Sequence, residues 1–363
     1  MAPGPEGTAA QPRFNIVVIG LAASLVCLLV LREFAGIIGP LFLALNLMIT
    51  AYPVHTWLVR KGTPSWLSAV VVSLTVFAVL LAIVVGLIWS VTEMISLMPQ
   101  YSREFIQLYD QVVDQFIRWG FDANALENLM SSLDPTRLLG AATSVVSGAS
   151  GAVGLIGIVV AAIVFLAMDT PGMERRIRMI ATSRSKIGVA MGSFARGVRR
   201  YWLVTTIFGL IVAVLDGIAL ALMGVPLALV WALFSFLTNY IPNIGFVIGL
   251  IPPALVALFA NGWQTALAVI IIYSVLNFVV QSIIQPRFTG ESVGVTPTTS
   301  FVSLLLWTAV LGGMGTLLAL PLTLLVKSLL IDADPRARWA NALIASDPVS
   351  AEDADSDDDM AQF

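Results

Sequence analysis

Long stretches without a charged side chain constrain this 363-residue sequence more than any other feature. A bilayer core about 30 Å thick is crossed by roughly 20 apolar residues in a helix that rises about 1.5 Å per residue. Four uncharged stretches have more than 30 residues: 62–92, 138–168, 217–286 and 292–326. Apolar runs at 14–31 and 35–59 add two more candidates. The sequence therefore predicts an all-α integral membrane protein with about eight hydrophobic helices in a lipid bilayer.

The composition excludes several classes of protein. Hydrophobic residues make up 58% of the chain and charged residues 11%, whereas soluble domains carry about 25% charge. A single cysteine, Cys27, excludes an intrachain disulfide, and a single histidine, His55, excludes a two-histidine metal site. We expect Cys27 to be a small packing residue and His55 to be an interfacial polar residue beside Trp57. No metal or cofactor is predicted, and without a Walker phosphate-binding loop the chain is not expected to hydrolyse ATP.

The distribution of basic residues predicts the orientation in the membrane. Between Asp169 and Arg200 there are eight basic residues and two acids. Short cytoplasmic loops collect Lys and Arg, so this linker is placed in the cytoplasm. Counting spans away from it places both termini in the cytoplasm and residues 93–137 outside. The seven acids and three bases of that outer segment agree with this side of the membrane.

These boundaries divide the chain into seven parts. They are a cytoplasmic N-terminal tail (1–13), three transmembrane helices (14–92), an extracytoplasmic helical insert (93–146), a fourth transmembrane helix (147–169), a basic cytoplasmic linker helix (170–200), a motif-rich C-terminal half (201–331) and an acidic, disordered cytoplasmic tail (332–363). The insert has an amphipathic helical pattern, whose apolar stripe packs on lipid headgroups, on its own bundle or on a neighbouring subunit. The basic linker resembles a nucleic-acid patch, but its position between two spans favours anchoring to anionic lipid. No nucleic-acid partner is therefore predicted.

Two apolar segments of the C-terminal half, 226–260 and 297–330, are predicted to be broken or re-entrant helices. As one straight helix the first would be about 52 Å long, well over the thickness of the bilayer core. Pro242 lacks an N–H and Gly245 lacks a side chain, so the first break belongs there. Similar punctuation recurs at Pro252, Gly294, Pro297, Gly312, Gly315 and Pro321. Paired broken helices are typical of transporters, because exposed backbone groups are tolerated in a membrane only where they line a cavity.

Polar side chains lie close to the predicted breaks. Amide residues near the breaks include Asn239, Asn243, Asn277, Gln281 and Gln285. Each of them either forms a helix-to-helix hydrogen bond or lines a substrate pathway. Asp216 is the one acid well inside a C-terminal span, and an intramembrane carboxylate is costly. Asp216 is therefore the candidate for coupling transport to a proton or a cation, with a structural hydrogen bond as the alternative.

Several motifs resemble those of a known family. They are NYIPNIG (239–245), the paired prolines at 252–253, NFVVQSIIQPRFTGESVGVTP (277–297) and LWxxxLGGMGxxLALPL (306–322). Over residues 14–331 the chain resembles the autoinducer-2 exporter family, the PerM-like permeases of bacterial and archaeal inner membranes. The resemblance adds Pro286 and Gly290 to the predicted helix breaks. It also implies the plasma (inner) membrane of a bacterium or archaeon and a homo-oligomer, suggested to be a pentamer, with a moving transport element.

The resulting prediction is a secondary transporter that works by alternating access. Members of the family are associated with export of the quorum-sensing furanone or with sodium/proton exchange. The resemblance therefore implies a small polar solute, such as a quorum-sensing signal, or cations and protons as the cargo. An enzyme is disfavoured, because Asp216 and His55 are far apart in sequence and offer no paired acid and base. A non-transporting oligomeric membrane scaffold is the alternative function.

Overall fold

The computed structural model describes residues 13–97, 117–118, 154–169, 185–241, 244–285 and 296–333, together with Gly172, Arg176 and Met179. Within these residues every regular element is a helix, and no strand is present. Five of the helices are long and apolar enough to cross a membrane. The prediction of an all-α membrane protein is confirmed. Almost all of the predicted N-terminal tail, extracytoplasmic insert and acidic tail lies outside the described residues.

The described residues of the N-terminal part form four helices. They are α1 (Arg13–Glu33), α2 (Ala35–Arg60), α3 (Ser65–Leu97) and α4 (Gly154–Asp169). A tight turn joins α2 to α3, where Ser68 Oγ donates a hydrogen bond to the His55 carbonyl oxygen at 2.9 Å. The His55 side chain is buried, and its ring centroid lies 5.8 Å from that of Tyr52. Cys27, expected to pack in a core, is exposed on α1.

Six helices lie in the C-terminal part, counted over residues 185–241, 244–285 and 296–333. They are α5 (Ser185–Leu222), α6 (Ala228–Thr238), α7 (Gly245–Asn261), α8 (Trp263–Asn277), α9 (Pro297–Leu311) and α10 (Gly313–Lys327). π-Helical turns extend α8 through Phe278–Ile284 and α10 through Ser328–Asp332. α5 has 38 residues and is about 57 Å long. It continues through residue 200, so the end of the basic linker and the first span of the C-terminal half are one helix.

Both segments predicted to be broken are helical hairpins. α6 and α7 contain 11 and 17 residues, and α9 and α10 contain 15 residues each. At about 1.5 Å per residue the α6, α7 and α9 arms are at most about 26 Å long, which is less than the roughly 30 Å of a bilayer core, whereas α10 with its π-helical extension to Asp332 has 20 residues and reaches about 30 Å. The chain therefore turns back between Thr238 and Gly245 and again at Gly312, and neither segment is one straight helix.

Three glycines lie at these two turns. Gly312 separates α9 from α10 and has a φ of +62°, a backbone conformation that residues with a Cβ rarely adopt. Gly245 begins α7, where an added Cβ would collide with the carbonyl oxygen of Thr238. Gly315 lies in the first turn of α10, where an added Cβ would collide with the carbonyl oxygen of Trp307. In each hairpin a glycine thus lets one arm approach the backbone of the other.

The prolines do not all mark helix ends. Pro252 lies inside α7 and Pro321 lies inside α10, so their assignment as helix breaks is corrected. A proline removes one backbone hydrogen bond, but a helix in a membrane bundle continues where its neighbours compensate for the loss. Pro297 opens α9 beside Thr296, whose hydroxyl accepts a hydrogen bond from Thr299 N at 3.2 Å. Pro242, Pro286, Gly290 and Gly294 lie outside the described residues.

The helix α5 is central to the packing of the bundle. It contacts α2, α6, α8 and α10, and the largest buried cluster includes Ala44 of α2 and Val198 of α5. Asp332, at the end of α10, accepts a hydrogen bond from Ser193 Oγ of α5 at 3.1 Å. The same carboxylate forms an ion pair with Lys327 Nζ at 3.0 Å. These contacts fix the end of α10 beside the start of α5.

Candidate functional site

Three helices, α5, α6 and α8, pack together in layers. In the first layer Leu220, Trp231 and Val269 are at most 1% exposed and belong to one apolar cluster. Each helix carries a polar residue on the same face as its apolar residue, four positions away. This second set lies about one helical turn further from the α5–α6 connection. They are Asp216 on α5, Ser235 on α6 and Tyr273 on α8. An apolar layer is therefore followed by a buried polar layer.

α5 and α6 approach each other closely at the polar layer. A Cβ added at Gly217 would lie 2.8 Å from the Ala232 Cβ, which is closer than such atoms pack in proteins. Ser235 Oγ donates a hydrogen bond to Asp216 Oδ2 at 2.8 Å, and both residues are buried. The glycine contact and the hydrogen bond together hold the two helices in a fixed relation.

Two polar atoms of this layer have no hydrogen-bond partner among the described residues. They are Asp216 Oδ1 and the Tyr273 hydroxyl, and both side chains are fully buried. Asp216 on α5 and Tyr273 on α8 lie on helices that pack against each other, and Tyr273 belongs to the same buried cluster as Leu220, one turn from Asp216. Most buried polar groups in native proteins are hydrogen-bonded, and leaving one unpaired costs about 1–3 kcal/mol. An unpartnered acceptor and an unpartnered donor thus lie in the same buried layer.

A second polar layer, made of amides, lies one turn beyond the first. Asn277 Nδ2 donates to the Tyr273 carbonyl oxygen at 2.9 Å, and Asn277 Oδ1 accepts from Gln281 Nε2 at 2.7 Å. Gln281 Nε2 also lies 3.4 Å from Asn239 Oδ1, so α8 meets the end of α6. Asn239 Nδ2 is buried without a partner in the described part of the chain. The structure thus brings together three of the five predicted pathway residues.

We call the two polar layers together the polar column: Asp216, Ser235, Tyr273, Asn239, Asn277 and Gln281. Gln281 belongs to the π-helical turn that follows α8, and such turns widen a helix and occur often at functional sites. Gln285, another predicted pathway residue, is half-buried one turn beyond Gln281. Asn243 lies outside the described residues.

Aromatic residues anchor the turn between α6 and α7, and none of them was predicted from the sequence. The Tyr240 hydroxyl and Thr206 Oγ1 are hydrogen-bonded at 3.0 Å, and Tyr201 donates to the Tyr240 carbonyl oxygen at 3.4 Å. The rings of Trp202 and Phe236 lie 5.7 Å and 5.5 Å from that of Tyr240. The sequence signal that could have identified this turn is Tyr240, which lies within the motif NYIPNIG at the predicted break. These contacts fix the turn against α5, next to the amide layer.

The second hairpin is closed by polar contacts of its own. Trp307 Nε1 on α9 donates a hydrogen bond to Thr323 Oγ1 on α10 at 3.0 Å. Near the turn, Met314 packs against α2, because a Cβ added at Gly39 would lie 3.0 Å from the Met314 Cβ. The α9–α10 hairpin therefore contacts α2 as well as α5, and α6 of the first hairpin contacts α3 as well as α5.

Charged groups are scarce around the polar column. In the described part of the chain, no group of three or more His, Cys, Asp or Glu residues could hold a metal ion. The two ion pairs found there, Arg176 with Asp169 and Lys327 with Asp332, do not involve Asp216. The column therefore offers hydrogen-bond donors and acceptors together with one carboxylate, a set suited to a polar solute or a cation.

Comparisons with known proteins match this chain to a transporter family and to proteins named as transport proteins. A family profile described as AI-2E family transporter matches residues 14–333. The putative transport protein YhhT of Escherichia coli (strain K12) is 30% identical over 312 residues, which cover 86% of this chain and 89% of that protein. The AI-2 transport protein TqsA of the same strain is 29% identical over 313 residues, with 86% and 90% covered. The putative transport protein YrrI of Bacillus subtilis (strain 168) is 26% identical over 309 residues, with 80% and 85% covered.

Proposed function

Because the chain belongs to the AI-2E transporter family, we propose that it moves a small polar solute across the plasma membrane by alternating access, with the polar column lining part of the route. The column itself carries the proposal, since polar side chains inside a membrane protein face a partner or a water-filled cavity. Three of its atoms, Asp216 Oδ1, Asn239 Nδ2 and the Tyr273 hydroxyl, have no partner among the described residues. An acceptor and a donor are thus available to a solute.

The unequal contacts between the helices support a way for the column to open. α5 and α6 are held together by the 2.8 Å hydrogen bond between Ser235 and Asp216 and by the close contact at Gly217. α8 meets the end of α6 through a 3.4 Å contact between Gln281 and Asn239, near the limit for a hydrogen bond. Movement of α8 against the α5–α6 pair would therefore separate the amides and admit a solute.

The chemistry of the column favours a neutral solute that carries hydroxyl or carbonyl groups. Amides offer both donors and acceptors, and a single carboxylate adds a strong acceptor. The relative TqsA is named for transport of AI-2, and we choose autoinducer-2 as the first probe for this chain. Exchange of a cation for protons is the second candidate, because Asp216 is a buried carboxylate without an ion-pair partner among the described residues.

We further propose a homo-oligomer, a pentamer as the family resemblance suggests, with both termini in the cytoplasm. The orientation rests on the eight basic residues between Asp169 and Arg200. Many apolar side chains of α1 and α3 face outward, such as Leu25 and Leu74, each 60% exposed. Lipid tails or neighbouring subunits would cover these faces. Neither an enzymatic activity nor a nucleic-acid partner is part of the proposal.

Flux from proteoliposomes tests the proposed function. Purified protein is reconstituted into vesicles loaded with labelled autoinducer-2, and parallel vesicles carry a pH-sensitive dye with an imposed sodium gradient. We expect saturable efflux of autoinducer-2 that exceeds the leak from protein-free vesicles. A dye response without efflux of autoinducer-2 would favour cation exchange over solute transport. A folded oligomer that produces neither signal would reject the transport of this solute and favour the scaffold.

A further inference from the structure

The first polar layer contains an unused donor and an unused acceptor on different helices. Asp216 on α5 and Tyr273 on α8 are each 0% exposed. Neither Asp216 Oδ1 nor the Tyr273 hydroxyl has a hydrogen-bond partner among the described residues, and the two side chains belong to the same buried layer between α5 and α8, which pack against each other. A phenol can donate one hydrogen bond and a carboxylate oxygen can accept it. The two groups are therefore complementary neighbours that remain unpaired in this conformation.

We propose that Tyr273 is a positioning residue for transport, whose hydroxyl donates a hydrogen bond to Asp216 Oδ1 in a second conformation of the helices. In that conformation α8 has shifted against the α5–α6 pair. Asp216 Oδ2 keeps its hydrogen bond from Ser235, so the new bond forms at the oxygen that is unpaired here. The inference rests on the proposed function, because it assigns the bond to one of the two states that alternating access requires.

The local contacts of the three helices determine which of them would move. The hydrogen bond from Ser235 and the close approach of Gly217 to Ala232 make α5 and α6 one unit. α8 is followed by the π-helical turn Phe278–Ile284, whose wider spacing departs from regular α-helical geometry. A shift of α8 is therefore the movement that would bring the Tyr273 hydroxyl to Asp216 Oδ1.

The pair also supplies an energetic reason for two conformations. An unpaired buried donor and acceptor disfavour the conformation described here, and one hydrogen bond between them favours the other. A transporter needs both conformations to be populated, so their free energies must be close. Removing the hydroxyl would then stabilise the described conformation at the expense of the second.

Substitution Tyr273→Phe tests this role, because it keeps the ring and removes only the hydroxyl. We expect the maximal rate of autoinducer-2 efflux to fall about tenfold, as the loss of one hydrogen bond to a charged group predicts. The melting temperature is expected to stay the same or rise, because a buried hydroxyl without a partner has been removed. Tyr52→Phe, which removes a phenol hydroxyl from α2, is the matched control and should leave the efflux rate unchanged.

A distance measurement separates this inference from the proposed function, because it requires no solute. Spin labels are placed by Leu222→Cys and Trp263→Cys, in a Cys27→Ser background, at exposed ends of α5 and α8. We expect two distance populations in the otherwise native chain and loss of one of them in Tyr273→Phe. A single population in the native chain, or an unchanged distribution in Tyr273→Phe, would overturn the inference. A lower melting temperature with an unchanged efflux rate would overturn it as well, since the hydroxyl would then be structural.

Discussion

Gly315→Ala is expected to prevent most of the protein from folding. An added Cβ would collide with the carbonyl oxygen of Trp307 across the α9–α10 hairpin. Because the colliding atom belongs to the backbone, no flexible side chain can move away to make room. Overpacking of this kind costs about 3 kcal/mol or more, a large share of the stability of a typical domain. Gly245→Ala should behave alike, because its Cβ would collide with the carbonyl oxygen of Thr238.

Gly313→Ala is the matched control for this prediction. Gly313 lies in the same turn, two residues before Gly315, and an added Cβ there would have no neighbour within 4 Å. Alanine is a better helix former than glycine, so the control should be neutral or slightly stabilising. Yield of monodisperse protein and melting temperature in detergent measure both variants. Equal values for Gly315→Ala and Gly313→Ala would show that the two arms are further apart than described.

Asp216→Asn is expected to keep the fold and to abolish the response of transport to an opposing proton or sodium gradient. The asparagine oxygen can still accept the hydrogen bond from Ser235, so the link between α5 and α6 is retained. The side chain can no longer ionise, and the column loses its carboxylate. We therefore expect an imposed gradient to accelerate flux no more than it does in protein-free vesicles. Flux measured against pH and sodium concentration checks this result.

Asp332→Asn serves as the control for removal of a carboxylate. Asp332 pairs with Lys327 at 3.0 Å at the end of α10, so its loss should lower stability by about 1 kcal/mol and leave the gradient response intact. If Asp216→Asn and the native protein give overlapping pH and sodium profiles, Asp216 has only a structural hydrogen bond. The coupling hypothesis would then be rejected, while the column could still conduct a neutral solute.

Much of the fold could be predicted because membrane insertion imposes simple rules on sequence. Uncharged stretches marked the helices, and the excessive length of 226–260 required a turn within it. The proline rule failed at Pro252 and Pro321, since whether a helix continues through a proline depends on neighbours that the local sequence does not specify. The close approaches at Gly245 and Gly315 depend on how the two arms pair, which only the tertiary structure shows.

The candidate site was predictable to the extent that its residues are unusual in a membrane. Asp216, Asn277 and Gln281 are recognisable as polar groups inside apolar stretches. Ser235 and Tyr273 are not, because hydroxyl-bearing residues are common in membrane helices and most of them satisfy their own backbone. Their significance arises where α5, α6 and α8 bring side chains that are distant in sequence to one layer.

Accessibility of the column from both sides of the membrane tests the central claim most directly. Gln281→Cys in a Cys27→Ser background is treated with a membrane-impermeant maleimide applied to the cytoplasmic or the outer side. Lys61→Cys and Leu222→Cys serve as references for the two sides. We expect labelling of Gln281→Cys from either side, and slower labelling in the presence of autoinducer-2. Lys61→Cys should be labelled only from the cytoplasm and Leu222→Cys only from outside. Labelling of Gln281→Cys from one side alone under every condition would contradict alternating access through the polar column.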